Sequence, residues 1–90
     1  MTVSFFATIR TYTRESERTL DDAPATLGRL LTELAARYGT AFRRAVFSGE
    51  ALSGEIIILV NGRNVLHLEG LDTPLAADDH ISVFPMVAGG

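Results

Sequence analysis

The sequence predicts an α+β fold: a mixed sheet of about five strands with one main helix lying across one face. Three features carry that expectation. They are an alternating opening, "VSFFATIR", an amphipathic segment, "ATLGRLLTELAARYG", and two apolar runs late in the chain, "EIIILV" and "HISVFPM".

Taken in order, Val3, Phe5, Ala7 and Ile9 alternate with Ser4, Phe6, Thr8 and Arg10, the period of a strand with one face turned to the core. The polar run "TRESE" reads as a turn, and "RTLD" is long enough for a short partner strand, so the two segments form a hairpin. Leu27, Leu30, Leu31, Leu34, Ala35 and Tyr38 then recur at helical spacing along one face. Thr26 stands where an N-cap belongs and Gly39 where a helix ends. Arg29, Glu33 and Arg37 stack at i, i+4 on the opposite face as a solvated charge ladder.

Residues 40–55 are less regular. Phe42, Val46 and Phe47 fit a short helical turn closing over the core, Arg43 and Arg44 fit a solvated face, and the Ser, Gly and Glu residues that follow fit an exposed loop. Ile56 to Val60 is a continuous apolar run, the pattern of a strand buried on both faces. Asn61-Gly62 is a strong hairpin signal, and the chain is expected to return as a strand through "NVLHL", which includes His67. After the loop "GLDTPLAADD", the last strand places Ile81, Val83 and Pro85 on one side and Ser82, Phe84 and Met86 on the other. Alternation alone does not say which side faces the core. In so short a chain, the order strand, strand, helix, strand, strand, strand fits the β-grasp, with the first and last strands parallel at the centre of the sheet.

Composition narrows the function. A net charge of −3 lacks the basic footprint of a nucleic-acid binder. With no cysteine, the chain has no disulfide, thiolate metal site or thiol nucleophile. The first residues lack the basic start and long apolar run of a signal peptide, which points to a soluble, cytoplasmic protein. His67 and His80 are two histidines without further ligands, a weak basis for a metal site, and none is expected. Asp78 and Asp79 read as turn formers before the last strand rather than as a catalytic pair.

The end of the chain, "FPMVAGG", is less easily explained by packing. A glycine pair has no side chain to bury and gives the backbone wide freedom. The expected organisation is a β-grasp domain over 1–86 followed by a flexible tail over 87–90.

"FPMVAGG", together with "ILVNGRN", "LEGLDTPL" and "VSFFATIR", resembles the MoaD/ThiS family of ubiquitin-like sulfur carriers. Within that family the resemblance is greatest to the small subunits of molybdopterin synthase, in the longer form with an insertion after the helix. It spans nearly the whole chain and is most specific in the tail. Met86 stands where the family usually has a second proline, which leaves the tail slightly freer, and "TRESE" lacks a glycine often found in that turn.

The resemblance implies a chemistry that needs no cysteine. A C-terminal carboxylate is ionised at neutral pH and a poor electrophile, so it has to be activated. In the family, an E1-like adenylyltransferase joins it to AMP from ATP with Mg²⁺, and a persulfide sulfur displaces AMP to leave a thiocarboxylate. Gly90 would carry the sulfur here, with Gly89 beside it keeping the thread narrow. Phe84, Pro85, Met86, Val87 and Ala88 would form the partner-binding collar. No cofactor is bound permanently, and the ATP and Mg²⁺ belong to the activating enzyme. The other partner implied is the large catalytic subunit of molybdopterin synthase, where the sulfur would pass to cyclic pyranopterin monophosphate in building the molybdenum or tungsten cofactor. The chain itself is then a co-substrate and not an enzyme. Two alternatives share the same tail: a ubiquitin-like protein modifier, and a sulfur carrier for tRNA or thiamine thiolation. A passive β-grasp interaction module is a further class.

Overall fold

The structure, a computed structural model, describes residues 1–86. The elements run β1 (Thr2–Phe5), α1 (Ile9–Thr13), β2 (Glu17–Thr19), α2 (Leu27–Tyr38), α3 (Thr40–Val46), β3 (Phe47–Ser48), β4 (Ala51–Leu52), β5 (Ile56–Val60), β6 (Arg63–Asn64) and β7 (His80–Pro85), with 3-10 turns at Val65–His67 and Gly70–Asp72. One mixed sheet has the order β2-β1-β7-β5-β6, and β3 and β4 form a separate two-stranded ribbon. β1 runs parallel to β7, in register from Thr2 with His80 to Phe5 with Val83. β2 is antiparallel to β1, and β5 is antiparallel to β7. This is the expected β-grasp arrangement.

One face of the sheet meets α2. Val3 and Phe5 from β1, Ile56, Ile58 and Val60 from β5, and Ile81 and Val83 from β7 are all buried with Leu27, Leu30, Leu31, Leu34 and Ala35 of the helix. Each such side chain gains roughly 1.5–3 kcal/mol by leaving water, so this single layer contact is the main source of stability. Phe42 and Val46 on α3 close one end of the core, where Phe5, Tyr38 and Phe42 pack with ring centroids 5.4–6.2 Å apart. α2 has the expected ends. The Thr26 hydroxyl accepts from the Arg29 N–H at 3.3 Å, and the Gly39 N–H donates to the Ala35 carbonyl at 2.9 Å. Gly28 lets the first turn close on the Gly70–Asp72 turn, since a Cβ there would sit 3.2 Å from the Leu71 carbonyl oxygen.

Five local expectations are corrected. The opening strand stops at Phe5, Ala7 takes φ +51°, and the chain enters α1, so buried Ile9 reaches the core from a helix. Residues four apart share a side in both strand and helix, which is why the Phe5–Ile9 spacing misleads. β5 is buried on one face only: Ile56, Ile58 and Val60 are buried but Ile57 and Leu59 are half-buried, because a helical layer covers a single side of the sheet. The return strand is only two residues long before the Val65–His67 turn, where the Asn64 side chain accepts from the Leu66 N–H at 2.9 Å. His67 therefore lies in a 3-10 turn and not in a strand. Residues 47–55 contain the β3–β4 hairpin instead of an open loop, pairing Phe47 with Leu52. Arg29, Glu33 and Arg37 form no ion pair with one another; among the described residues the ion pair present is Arg18–Glu15.

The Asn61-Gly62 turn forms as expected, with φ +52° and +82°. The Asn61 side chain also ties it to the start of β7: Nδ2 donates to Asp79 Oδ1 at 2.9 Å and Oδ1 accepts from the His80 N–H at 2.9 Å. Asp79 Oδ2 accepts from the Ala76 N–H at 2.8 Å, the turn role expected of it. Among the described residues, no helix is long and apolar enough to cross a membrane.

Candidate functional site

The candidate site lies where β7 leaves the sheet. β7 is a central strand, flanked by β1 and β5, so its backbone direction is set on both sides by ladder hydrogen bonds. The alternation along it sends Ile81 and Val83 into the core and leaves Ser82 and Phe84 on the opposite face. Pro85 has no N–H to continue the ladder, and the Met86 N–H donates to the Glu55 carbonyl at 2.8 Å as the chain departs.

Phe84 does not stand alone on that face. Its ring stacks on Phe6 with centroids 4.3 Å apart and planes 9° from parallel. Ile57, half-buried, is its register partner on β5. Phe6 is 38% exposed and Met86 49% exposed, so an apolar surface surrounds the exit of the chain. Of the proposed partner-binding residues, Phe84, Pro85 and Met86 are brought together here; Val87, Ala88, Gly89 and Gly90 lie outside the described residues. Sequence reasoning missed Phe6 and Ile57. The signal was present in the alternation of β1, which puts Phe6 on the side opposite Phe5, but only the parallel pairing of β1 with β7 brings it to Phe84.

Lower on the same face, Ser4 Oγ and His80 Nε2 are 3.0 Å apart, and Ser4 is buried. Among the described residues, no group of three or more histidine, cysteine or acidic side chains is placed to hold a metal ion.

A second polar cluster lies beside the C-terminal end of β1, where the Phe5 N–H donates to the Ser16 carbonyl at 2.9 Å. Tyr38 donates a hydrogen bond to Glu15, and Arg18 donates to both Glu15 oxygens at 3.0 and 3.1 Å. The Tyr38 hydrogen bond is the main cause holding the Glu15 carboxyl below its usual range, with Arg18 adding to it against the effect of burial. Burial, and then Glu15, push the Tyr38 phenol up to about 12. The cluster fastens the segment between α1 and β2 to the end of α2, beside the aromatic core.

Comparison with known proteins agrees with this architecture. The chain is 42% identical over 89 residues to small archaeal modifier protein 3 of Haloferax volcanii, covering 96% of this chain and 94% of that one. It superposes with a TM-score of 0.83 and 28% identity on a chain of the Amycolatopsis orientalis BexX/CysO complex, covering 99% of this chain and 98% of the other. A Pyrococcus furiosus structure described as molybdopterin converting factor, subunit 1, aligns with a TM-score of 0.75 and 30% identity over 96% of this chain and 95% of its own. The sequence pattern of the ThiS family matches residues 3–90, which includes the terminal glycines. With its β-grasp sheet and this match over almost its whole length, the chain belongs to the ThiS family of ubiquitin-like sulfur carriers and modifiers.

Proposed function

We propose that the chain works as the sulfur-carrier subunit of a molybdopterin synthase in the cytoplasm, with Gly90 as the reactive end. The observation that carries this reading is the family match running through Gly89 and Gly90, on a chain whose last strand ends beside the exposed apolar side chains of Phe6 and Met86. The alignment with the Pyrococcus furiosus protein supports the choice of pathway.

In this mechanism the Gly90 carboxylate attacks the α-phosphorus of ATP held by an E1-like enzyme. Pyrophosphate leaves, and the acyl adenylate forms. A persulfide sulfur then attacks the acyl carbon, the bond to AMP breaks, and reduction of the resulting acyl disulfide by a thiol frees the thiocarboxylate. Residues 87–90, fully extended, span roughly 13 Å, enough to carry that group from the sheet edge into an enclosed pocket. Glycine at 89 and 90 keeps the thread free of side chains where the partner encloses it. Phe84, Phe6 and Met86 supply the docking surface, and the catalytic acids and bases belong to the partner. The sulfur is given to cyclic pyranopterin monophosphate.

A second reading, a protein modifier joined to lysines through the same acyl adenylate, is favoured by the 42% identity to small archaeal modifier protein 3. One experiment separates the two. The protein is incubated with its activating enzyme, ATP, Mg²⁺ and a sulfur donor, and its intact mass is measured. Replacement of one terminal oxygen by sulfur, followed by molybdopterin formation with the large subunit, is the expected result. Amide-linked conjugates without molybdopterin formation would favour the modifier, and an unchanged mass would overturn both.

A further inference from the structure

An activated acyl group is a hazard to the protein that carries it, because any free amine on a second copy can consume it. In this chain that reaction has almost nowhere to occur. None of the 90 residues is lysine, and all 8 basic residues are arginines. A guanidinium stays protonated and offers no lone pair to an acyl carbon. Among these 90 residues the other primary amine is the α-amino group of Met1. Met1 is 8% exposed, its side chain is part of the core, and its amino group donates to the Leu20 carbonyl at 3.0 Å. The Leu20 N–H donates back to the Met1 carbonyl at 2.8 Å. These two bonds extend the β1–β2 pairing by one residue, so freeing the nitrogen breaks the end of that pairing.

We propose that this protein is a self-inert acyl donor: its activated terminus reacts with sulfur donors and with amines on other molecules, but never with a second copy of itself. The inference rests on the reading that the Gly90 carboxyl is activated. Its consequence for conjugation is definite. When an acceptor lysine attacks the acyl adenylate, the C–N bond forms, the bond from the acyl carbon to the phosphate oxygen breaks, AMP departs with the electron pair, and the amine proton passes to solvent. The attached copy then presents no lysine for a second round, so each acceptor lysine carries one copy and no chain grows. For sulfur transfer, the same property keeps the adenylate and thiocarboxylate from being lost to self-acylation while a partner is awaited.

The test does not depend on the activating enzyme. The full chain is prepared with a thioester at Gly90 by thiol cleavage from an intein, concentrated at mildly alkaline pH, and followed by intact mass and denaturing gel electrophoresis. Free lysine added to one sample should be captured by the wild-type thioester, which shows that the acyl group is live. Without added amine, the wild type should only hydrolyse to monomer. Thioesters of Arg44→Lys and Arg63→Lys, both at exposed positions, should shift to species of doubled and higher mass. Wild-type dimers linked through the Met1 amine, or lysine variants that stay monomeric while still capturing free lysine, would overturn the inference. A failure of the activating enzyme to adenylate Gly90, measured separately, would instead strike the carrier reading and leave the thioester result intact.

Discussion

Phe6 and Phe84 stack on each other, 4.3 Å between ring centroids and 9° from parallel, on the face of the sheet that α2 does not cover. Phe6 follows the last residue of β1 and Phe84 precedes the last residue of β7, so the contact sits at the point where the chain leaves the sheet. It assigns Phe84 to the outer face, which alternation in the sequence leaves open. A ring on that face contributes less to folding than one in the core and more to whatever docks there.

Phe84→Ala is therefore expected to cost about 1–2 kcal/mol of stability, the scale of a lost aromatic pair with part of its buried area. Its larger effect should be on partner binding, a loss of about tenfold or more of the kind seen when a central aromatic anchor is truncated. Thermal melting and titration calorimetry with the activating enzyme or the large subunit measure the two effects. Unchanged affinity for both would remove the patch from the docking surface.

Ile58→Ala provides the contrast, since Ile58 is fully buried under α2. Truncating such a residue costs about 2–5 kcal/mol through lost burial and the cavity left behind. Partner affinity, measured well below the variant's melting temperature, should stay close to that of the wild type. A tenfold weaker complex from a still-folded Ile58→Ala would mean that the two faces of the sheet are coupled.

Deleting Gly90 moves the carboxylate back by at most about 3.6 Å, and a reacting group displaced by even ~1 Å loses on the order of a hundredfold in rate. Adenylation, followed by pyrophosphate release, should drop by at least that factor. Among the described residues the buried core runs from Met1 to Val83, and the deletion removes none of them, so the melting temperature should stay where it is. Normal adenylation of the shortened chain would show that Gly90 is not the reactive end.

The Tyr38–Glu15 hydrogen bond predicts how stability depends on pH. Glu15 is held below its usual range in the folded state, so its contribution is present at neutral pH and is lost as pH falls through the acid range. Tyr38 is raised from 10.0 to about 12, so the unfolded chain releases this proton first, and stability falls as pH rises from 10 to 12. Tyr38→Phe should flatten both limbs of a plot of melting temperature against pH. An unaltered profile would show that the hydrogen bond does not persist in solution.

Much of the fold was legible because its signals are local. The leucines of α2, its Thr26 cap, the Asn61-Gly62 turn and the alternation of β7 each depend on residues a few positions apart, and each appears where the pattern puts it. The errors occur where two local structures satisfy one pattern. Phe5 and Ile9 face the same way in a strand or a helix, and the change to α1 is made at Ala7 by a positive φ that nothing in its side chain announces. Val65 is fully buried as it opens a 3-10 turn, and an apolar residue there fits the pattern of a returning strand as well.

By itself, the sequence determined the chemistry available to this protein: a diglycine end, no thiol, no lysine, and an apolar periodicity that permits one sheet and one main helix. Tertiary structure decided which of these features meet. It set Phe6 beside Phe84 from residues 78 positions apart, linked Tyr38 to Glu15 and Arg18, and folded Met1 into the sheet edge against Leu20. The physical reason is that strand pairing is chosen by the whole core. The parallel alignment of β1 with β7 buries Val3, Phe5, Ile81 and Val83 together beneath α2, and residues on the far face become neighbours as a consequence.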